Sequence, residues 1–396
     1  MDLTFIVMWV GFIFAAYSVV GNDVIQTLGT FLTSNEKKVK WYVLWGFASV
    51  IMVYALVVGY MANDIDYGRL DKFDFETITF SWYYVLPPLV LLLITRFGIP
   101  VSTTFMVLTL FSLSSIPGDL SSMIGSVFDS DQKLGGMIQK SIMGYIIAFS
   151  AAIVIYLIVS RLTEKKFMED KLNDEDKFNT NGVIGIPVAF FASIFAVSYF
   201  LFDISLSQSL LQAVIPAAII GGALTQISKM QFWIVFQWFT TGFLWFQWLT
   251  QDLANIYVYL KGGTELSVVG FVISLLILVG LLGYIFYNSG GKVQDVVREK
   301  TSTADIRSAT FIDLIYGIIL YIFKYNILDL FEAKLPMSTT WVFIGLLAGR
   351  EIGIRLNLDK KLSRTTIQMV FADLGKVFFG LLVSVILVFI IKLIGG

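Results

Sequence analysis

The sequence contains neither cysteine nor histidine. The first absence excludes disulfides and thiolate chemistry. The second removes imidazole metal ligands and the side chain that most readily relays protons near pH 7. Charge is scarce too: 14% of the 396 residues are Asp, Glu, Lys or Arg, and the net charge is −1. That balance offers no footprint for nucleic acid. Met1-Asp2 lacks the basic stretch that opens a signal peptide, so no cleaved leader is expected.

What remains is apolar. Hydrophobic residues make up 57% of the chain and the mean hydropathy is +0.80. Many apolar runs reach the length needed to cross a bilayer. Only helices and closed barrels satisfy their own backbone in lipid. Continuous runs without strict alternation select helices. The expected fold is therefore an all-α polytopic membrane protein. About twelve segments are expected, at 3–33, 41–61, 79–96, 99–117, 136–160, 183–203, 208–227, 230–261, 266–287, 311–333, 336–355 and 366–394. Segments four and eleven are short and carry Pro-x-Ser-Thr-Thr, which allows a re-entrant path in place of a full crossing.

Loop charge sets an expected orientation. With the N-terminus outside, the inner connections are 34–40, 161–182, 288–310 and 350–364, and they carry 17 Lys and Arg. The outer connections carry few, and the longest, 62–78, is rich in acid: Asp64, Asp66, Asp71, Asp74 and Glu76. This follows the positive-inside rule. Arg161 to Lys177 holds 11 charges in 17 residues and reads as a solvated cytoplasmic linker.

Two polar phrases each occur twice inside apolar sequence. Gly21-Asn22-Asp23-Val24-Ile25-Gln26 is answered by Thr250-Gln251-Asp252-Leu253-Ala254-Asn255. Ile99-Pro100-Val101-Ser102-Thr103-Thr104 is answered by Leu335-Pro336-Met337-Ser338-Thr339-Thr340. The lags are close: 229 residues from Asp23 to Asp252, and 236 from Ser102 to Ser338. Each pair is seven segments apart, so its members run in opposite directions. An inverted repeat follows, as in transporters whose sites lie at the repeat interface near the midplane. The expected layout is a first repeat at 1–160, a linker at 161–182, two connecting helices at 183–229 and a second repeat at 230–396.

The phrases divide by chemistry. A carboxylate at mid-membrane costs about 2.5 kcal/mol or more, so it faces a cavity or a partner. Asn22, Asp23, Gln26 and Thr27, with Gln251, Asp252 and Asn255, form a hard-oxygen set suited to sodium. A break at Gly21 would add backbone carbonyls to it. Ser102, Thr103, Thr104, Ser338, Thr339 and Thr340 follow proline, which starts a helix well. A helix start has free N–H groups and a positive dipole end, which suit an anion. Two such ends brought together could wrap a tetrahedral oxyanion. Hydrogenphosphate can donate a proton to Asp23 or Asp252; sulfate has none to give. Ordinary N-capping is the plainer reading of any single Ser-Thr-Thr.

Other charges in apolar context have structural readings. Asp313 is expected at a helix N-terminus, Arg350-Glu351 at the interface, and Asp373 and Lys376 as an i, i+3 pair. Phe232 to Trp248 reads as lipid-facing or helix-packing surface.

These phrases resemble those of the inorganic phosphate transporter (PiT) family, solute carriers that move phosphate with sodium or protons. That family carries a Gly-Ala-Asn-Asp-Val-Ala-Asn type motif and a Pro-Val-Ser-Thr-Thr-His type motif in each inverted half. Here the Ala is missing from the first copy, Gln26 and Gln251 stand at Asn positions, and Phe105 and Trp341 stand at the His positions. The stretch from Gly345 to Gly353 is also similar. The resemblance implies that Asp23, Asp252 and the Ser-Thr-Thr residues line a phosphate site. It implies that Asn22, Asp23, Gln26, Gln251, Asp252 and Asn255 serve sodium, with no cofactor and no covalent chemistry. It also implies a homodimer in the cell (inner) membrane. The nearest alternative is a sulfate permease of the same fold, coupled to protons or sodium. An intramembrane aspartyl protease, with two membrane Asp residues as its dyad, is the remote one, and a passive channel a third.

Overall fold

The computed structural model describes residues 3–36, 38–73, 75, 78, 80–96, 101–161, 165, 169–170, 172, 228–263, 266–288, 305–327, 336–358 and 364–394. The bulk of the expected linker, both connecting segments, Asp74, Glu76, Ile99, Pro100 and Leu335 lie outside these. By contacts the chain forms two units, 1–166 with 239–396, and 167–238. Of the second unit, the described part begins a helix whose start is closed by a reciprocal cap. Gln231 N donates to Ser228 Oγ at 3.1 Å and Ser228 N to Gln231 Oε1 at 3.0 Å.

The helices, in chain order, are α1 Leu3–Asn35, α2 Trp41–Met61, α3 Leu86–Arg96, α4 Thr103–Leu108, α5 Leu120–Phe128, α6 Lys133–Val159, α7 Lys229–Asp252, α8 Ala254–Tyr257, α9 Val268–Tyr287, α10 Ile306–Lys324, α11 Thr339–Leu358 and α12 Arg364–Ile394. Among the described residues, six helices are long and apolar enough to cross a membrane. Large apolar side chains such as Leu276 on α9 and Phe371 and Leu382 on α12 lie exposed, as a lipid-facing surface requires. The protein is an all-α integral membrane protein.

The polar phrases leave different local marks. α1 runs unbroken through Gly21, so the expected break there does not occur. Nothing lies within 4 Å of where a Gly21 side chain would start. At the second copy the helical path also carries on: Leu253 keeps φ −56° and ψ −30°, its N–H bonds to Leu249 O at 3.1 Å, and the helix tightens to a 3-10 turn only at Val258–Gly263. That 3-10 end packs on α1, where Tyr259 leaves room only for glycine at Gly11.

α3 and α4 have eleven and six residues, and at 1.5 Å per residue neither spans the ~30 Å apolar layer. A 3-10 turn at Leu110–Ser115 continues α4. Segment four is therefore not a continuous crossing helix. Its counterpart α11 is a helix of 20 residues.

α11 and α6 are the most intimately packed pair. Gly345, Gly349 and Gly353 face α6 one turn apart. A β-carbon would stand 2.5 Å from Tyr145 O at the first and 2.9 Å from Tyr156 Cβ at the third, and at Gly349 it would run into Phe149 O. Small residues at this spacing let membrane helices touch backbone to backbone. The contacts advance in the same order on both helices, so α6 and α11 are parallel, as the topology read from the loops requires.

Two structural readings need correction. Asp313 is not at a helix start; α10 begins at Ile306, and Asp313 sits two turns inside, buried. Thr30 Oγ1 on α1 and Thr241 Oγ1 on α7 donate to its two carboxylate oxygens at 2.5 and 2.6 Å. Arg350 is buried rather than interfacial. It donates to Ser308 Oγ at 3.0 Å and lies over the Tyr156 ring, because α11 is enclosed at that level. Lys376 and Asp373 do approach, at 4.0 Å. Trp245 and Trp248 are buried and stacked, 4.9 Å between centroids, which makes that face packing surface.

Replacing Gly349 by Val should lower stability by about 3 kcal/mol, because the added carbons meet backbone that cannot yield. Gly375→Ala, where nothing lies within 4 Å, is the control. Melting temperatures of the purified variants in detergent would test this; equal values would refute it.

Candidate functional site

The four phrases, far apart in sequence, meet in one buried cluster. Asp23 on α1 and Asp252 at the end of α7 are both fully buried. Each carboxylate is held by neutral donors. Thr103 Oγ1 donates to Asp23 Oδ2 at 2.5 Å, and Asn22 Nδ2 to Asp23 Oδ1 at 2.6 Å. Asn255 Nδ2 donates to Asp252 Oδ1 at 2.8 Å, and Thr104 Oγ1 reaches the same oxygen at 3.5 Å.

One amide joins the halves. Asn255 Nδ2 also lies 3.0 Å from Thr103 Oγ1 and 3.3 Å from Thr104 Oγ1. A chain Asp23–Thr103–Asn255–Asp252 therefore runs from the first phrase through the second to the third. Asn22 Nδ2 additionally donates to Val101 O at 2.7 Å, fixing the start of α4 against α1.

The serines have a different job from the threonines. Ser102 Oγ accepts from Phe105 N at 3.2 Å, an N-cap on α4. Ser338 Oγ accepts from Trp341 N at 3.4 Å. Ser338 N donates to Ser141 Oγ on α6 at 2.9 Å. The plain capping reading thus holds for both serines, while the threonine hydroxyls face the carboxylates. Thr339 is within hydrogen-bonding reach of Asp252. The residues at the family's His positions, Phe105 and Trp341, meet edge to face, 6.1 Å between centroids.

Several buried oxygens have no hydrogen-bond partner within the protein: Asn22 Oδ1, Gln251 Oε1, Asp252 Oδ2 and Thr340 Oγ1. Leaving such groups dry costs about 1–3 kcal/mol each, so they favour a ligand. An amide, hydroxyl and carboxylate oxygen set suits a hard cation. Among the described residues no cluster of three or more His, Cys, Asp or Glu occurs. Gln251 Nε2 turns away, to Gln247 O at 3.2 Å and Leu320 O at 3.3 Å. Gln26 is buried with Nε2 unpartnered. Thr27 Oγ1 bonds back to Asp23 O.

Three residues at the site escape a reading of the sequence. Tyr316 donates to Thr339 O at 3.1 Å and lies within electrostatic range of both carboxylates. Gln247 is buried with neither amide atom partnered. Its place one turn before Gln251 is the signal that could have found it. Arg69, from the acidic connection 62–78, donates through Nη2 to Met337 O at 3.1 Å and is within electrostatic range of Asp252. Its signal is a basic residue directly after Gly68 in a loop where acids outnumber bases, Lys72 being the other base.

That loop's described stretch 62–73 is folded, with Ile65, Asp66, Arg69 and Leu70 buried and Asn63, Asp71 and Lys72 exposed. Asp64 Oδ1 accepts from Gly68 N and Asp66 Oδ2 from Leu70 N, each at 2.6 Å. Tyr67 donates to Ala55 O at 2.7 Å. Asn63, Tyr67 and Gly68 take positive φ of 53°, 53° and 71°.

No protein-family model matches the chain, and no curated protein matches it. Among solved structures, one titled "The sodium-dependent phosphate transporter" aligns with a TM-score of 0.57 at 17% identity, covering 99% of this chain and 98% of that one. The chain has that protein's fold. The overlay spans nearly the whole of both chains, so it includes every element that builds the cluster.

Burial raises the Asp66 carboxyl to about 6, against the lowering effect of its bond from Leu70. The native state then holds this proton more firmly than the unfolded chain. Its contribution to stability is full below about pH 4 and is lost as pH rises through about 6. Melting temperature should fall over that window, and Asp66→Asn should flatten the slope. Identical slopes in the two proteins would refute the assignment.

Proposed function

We propose that this protein is a secondary active transporter that moves inorganic phosphate with sodium by alternating access. The observation that carries the reading is the buried chain Asp23–Thr103–Asn255–Asp252. It joins two oxygen-rich phrases to the start of a short helix in a core otherwise built for lipid. The solved phosphate transporter of the same fold supports it.

Within this reading the division of labour follows the hydrogen bonds. Asn22, Asp23, Gln26, Gln251, Asp252 and Asn255 supply cation oxygens. Thr339 and Thr340 present hydroxyls to the anion, Thr103 and Thr104 turn theirs to it once sodium occupies the carboxylates they bond here, and Ser102 and Ser338 hold the ends of their helices. Sodium bound beside Asp23 and Asp252 lowers the repulsion that those carboxylates exert on an oxyanion. Empty of sodium, the site repels the anion; that is the physical basis of coupling. A hydrogenphosphate proton facing a carboxylate turns repulsion into a hydrogen bond, which favours phosphate over sulfate.

The duplicated phrases are the corresponding parts of two inverted repeats, 1–160 and 230–396. The N-terminus is outside, the linker 161–182 is cytoplasmic, and the protein works as a homodimer in the cell membrane.

Purified protein in proteoliposomes should accumulate labelled phosphate when sodium is supplied outside, and saturably. Uptake driven by a proton gradient without sodium would overturn the coupling. Sulfate uptake that phosphate does not compete for would overturn the substrate. Asp23→Asn and Ser102→Ala should both reduce uptake, the first by about tenfold to a hundredfold, because it removes a charge-assisted contact worth about 1.5–3 kcal/mol. A protease would need only the Asp.

A further inference from the structure

The sequence offers the oxyanion no cation within the four phrases. Two buried carboxylates and a phosphate add charge of one sign in a region poor in water. Sodium offsets part of it. The fold brings a permanent positive charge to the same place, from a loop with no part in the duplicated phrases.

Arg69 is buried, with 5% of its surface exposed. Burial lowers its guanidinium to about 10, so it remains charged at neutral pH. The loop around it leaves little freedom. Asp64 and Asp66 tie down the backbone on either side at 2.6 Å, and left-handed residues set the turn. The side chain reaches Met337 O, one residue before Ser338, at 3.1 Å. It therefore lies at the N-terminal end of α11, a helix of 20 residues.

That placement is odd for a structural strut. A helix N-terminus carries partial positive charge and favours anions, not cations. Here a guanidinium and a positive helix end converge. Close by in sequence, Thr340 Oγ1 is buried with no partner among the described residues, a free hydroxyl for an anion. An anion between the guanidinium charge and the positive helix end is attracted by both and relieves their repulsion. Asp252 and Asp66, within electrostatic range, keep the cation tolerable when no anion is present.

We propose that Arg69 is an affinity-determining residue of the transport site, whose positive charge holds the phosphate against the start of α11. This rests on the oxyanion reading above. The same contact makes the loop segment 62–73 part of the site. Binding of the anion and seating of the loop are then one event.

The test compares Arg69→Gln and Arg69→Lys with wild type in proteoliposomes, using labelled inorganic phosphate and, in parallel, labelled sulfate. Arg69→Gln should raise the phosphate KM about tenfold or more, which is about 1.4 kcal/mol per tenfold. Maximal rate at saturating phosphate should stay within about twofold. Arg69→Lys keeps the charge and should stay within about threefold of the wild-type KM. A folded Arg69→Gln protein with KM within about twofold of wild type overturns the proposal. If Arg69→Gln does not fold, Arg69→Lys decides alone: a tenfold rise in KM overturns it, and near-normal KM supports it. Wild type that takes sulfate and ignores phosphate defeats the substrate reading instead, and the Arg69 comparison is then read on sulfate.

Discussion

Two carboxylates of like charge are buried in one core, and the rest of the structure is arranged to make that tolerable. Asp23 and Asp252 are kept apart and each clothed in neutral donors, with Thr103 and Asn255 between them. Removing any one of these donors would leave a buried charge short of a hydrogen bond, a larger cost than the bond itself contributes. The requirement reaches outward. α1 must stay unbroken to hold Asn22 and Asp23 in register with Val101. On the α7–α8 path Asn255 lies one helical turn after Asp252, and so faces the same side, toward Thr103 and Thr104 of α4.

Much of this is legible in the amino-acid order. Apolar runs of spanning length identify the helices of the membrane core. The matched lags of Asp23 with Asp252 and Ser102 with Ser338 single out the residues that converge. What periodicity does not reveal is that neither copy breaks. Gly21 looks like a weak point, yet the helix there is continuous, and Leu253 stays helical after Asp252. The change to 3-10 geometry comes later, at Val258–Gly263, where Tyr259 nests against Gly11, a contact between residues 248 apart in sequence.

The misplaced charges have a common cause. Sequence neighbourhood alone assigns Arg69 to a loop, Asp313 to a helix start and Arg350 to the interface. Each is settled instead by a partner from elsewhere in the chain: Met337 for Arg69, Thr30 and Thr241 for Asp313, Ser308 and Tyr156 for Arg350. Composition signals the cost of such a charge but not the partner that meets it. The serines illustrate the reverse. Their local role as helix caps is readable from the residues around them, and it is the role they hold.

The three glycines that press α11 against α6 carry a mechanical consequence. Contact over successive turns, with backbone on both sides, leaves these helices no room to slide or tilt separately. They behave as a single rod. Ser141 on α6 and Ser338 ahead of α11 are bonded at one end of it. Any movement of α11 must carry α6 with it. The contacts at the boundary of this rod are the edge-to-face meeting of Phe105 with Trp341 and the bond from Arg69 to Met337 O.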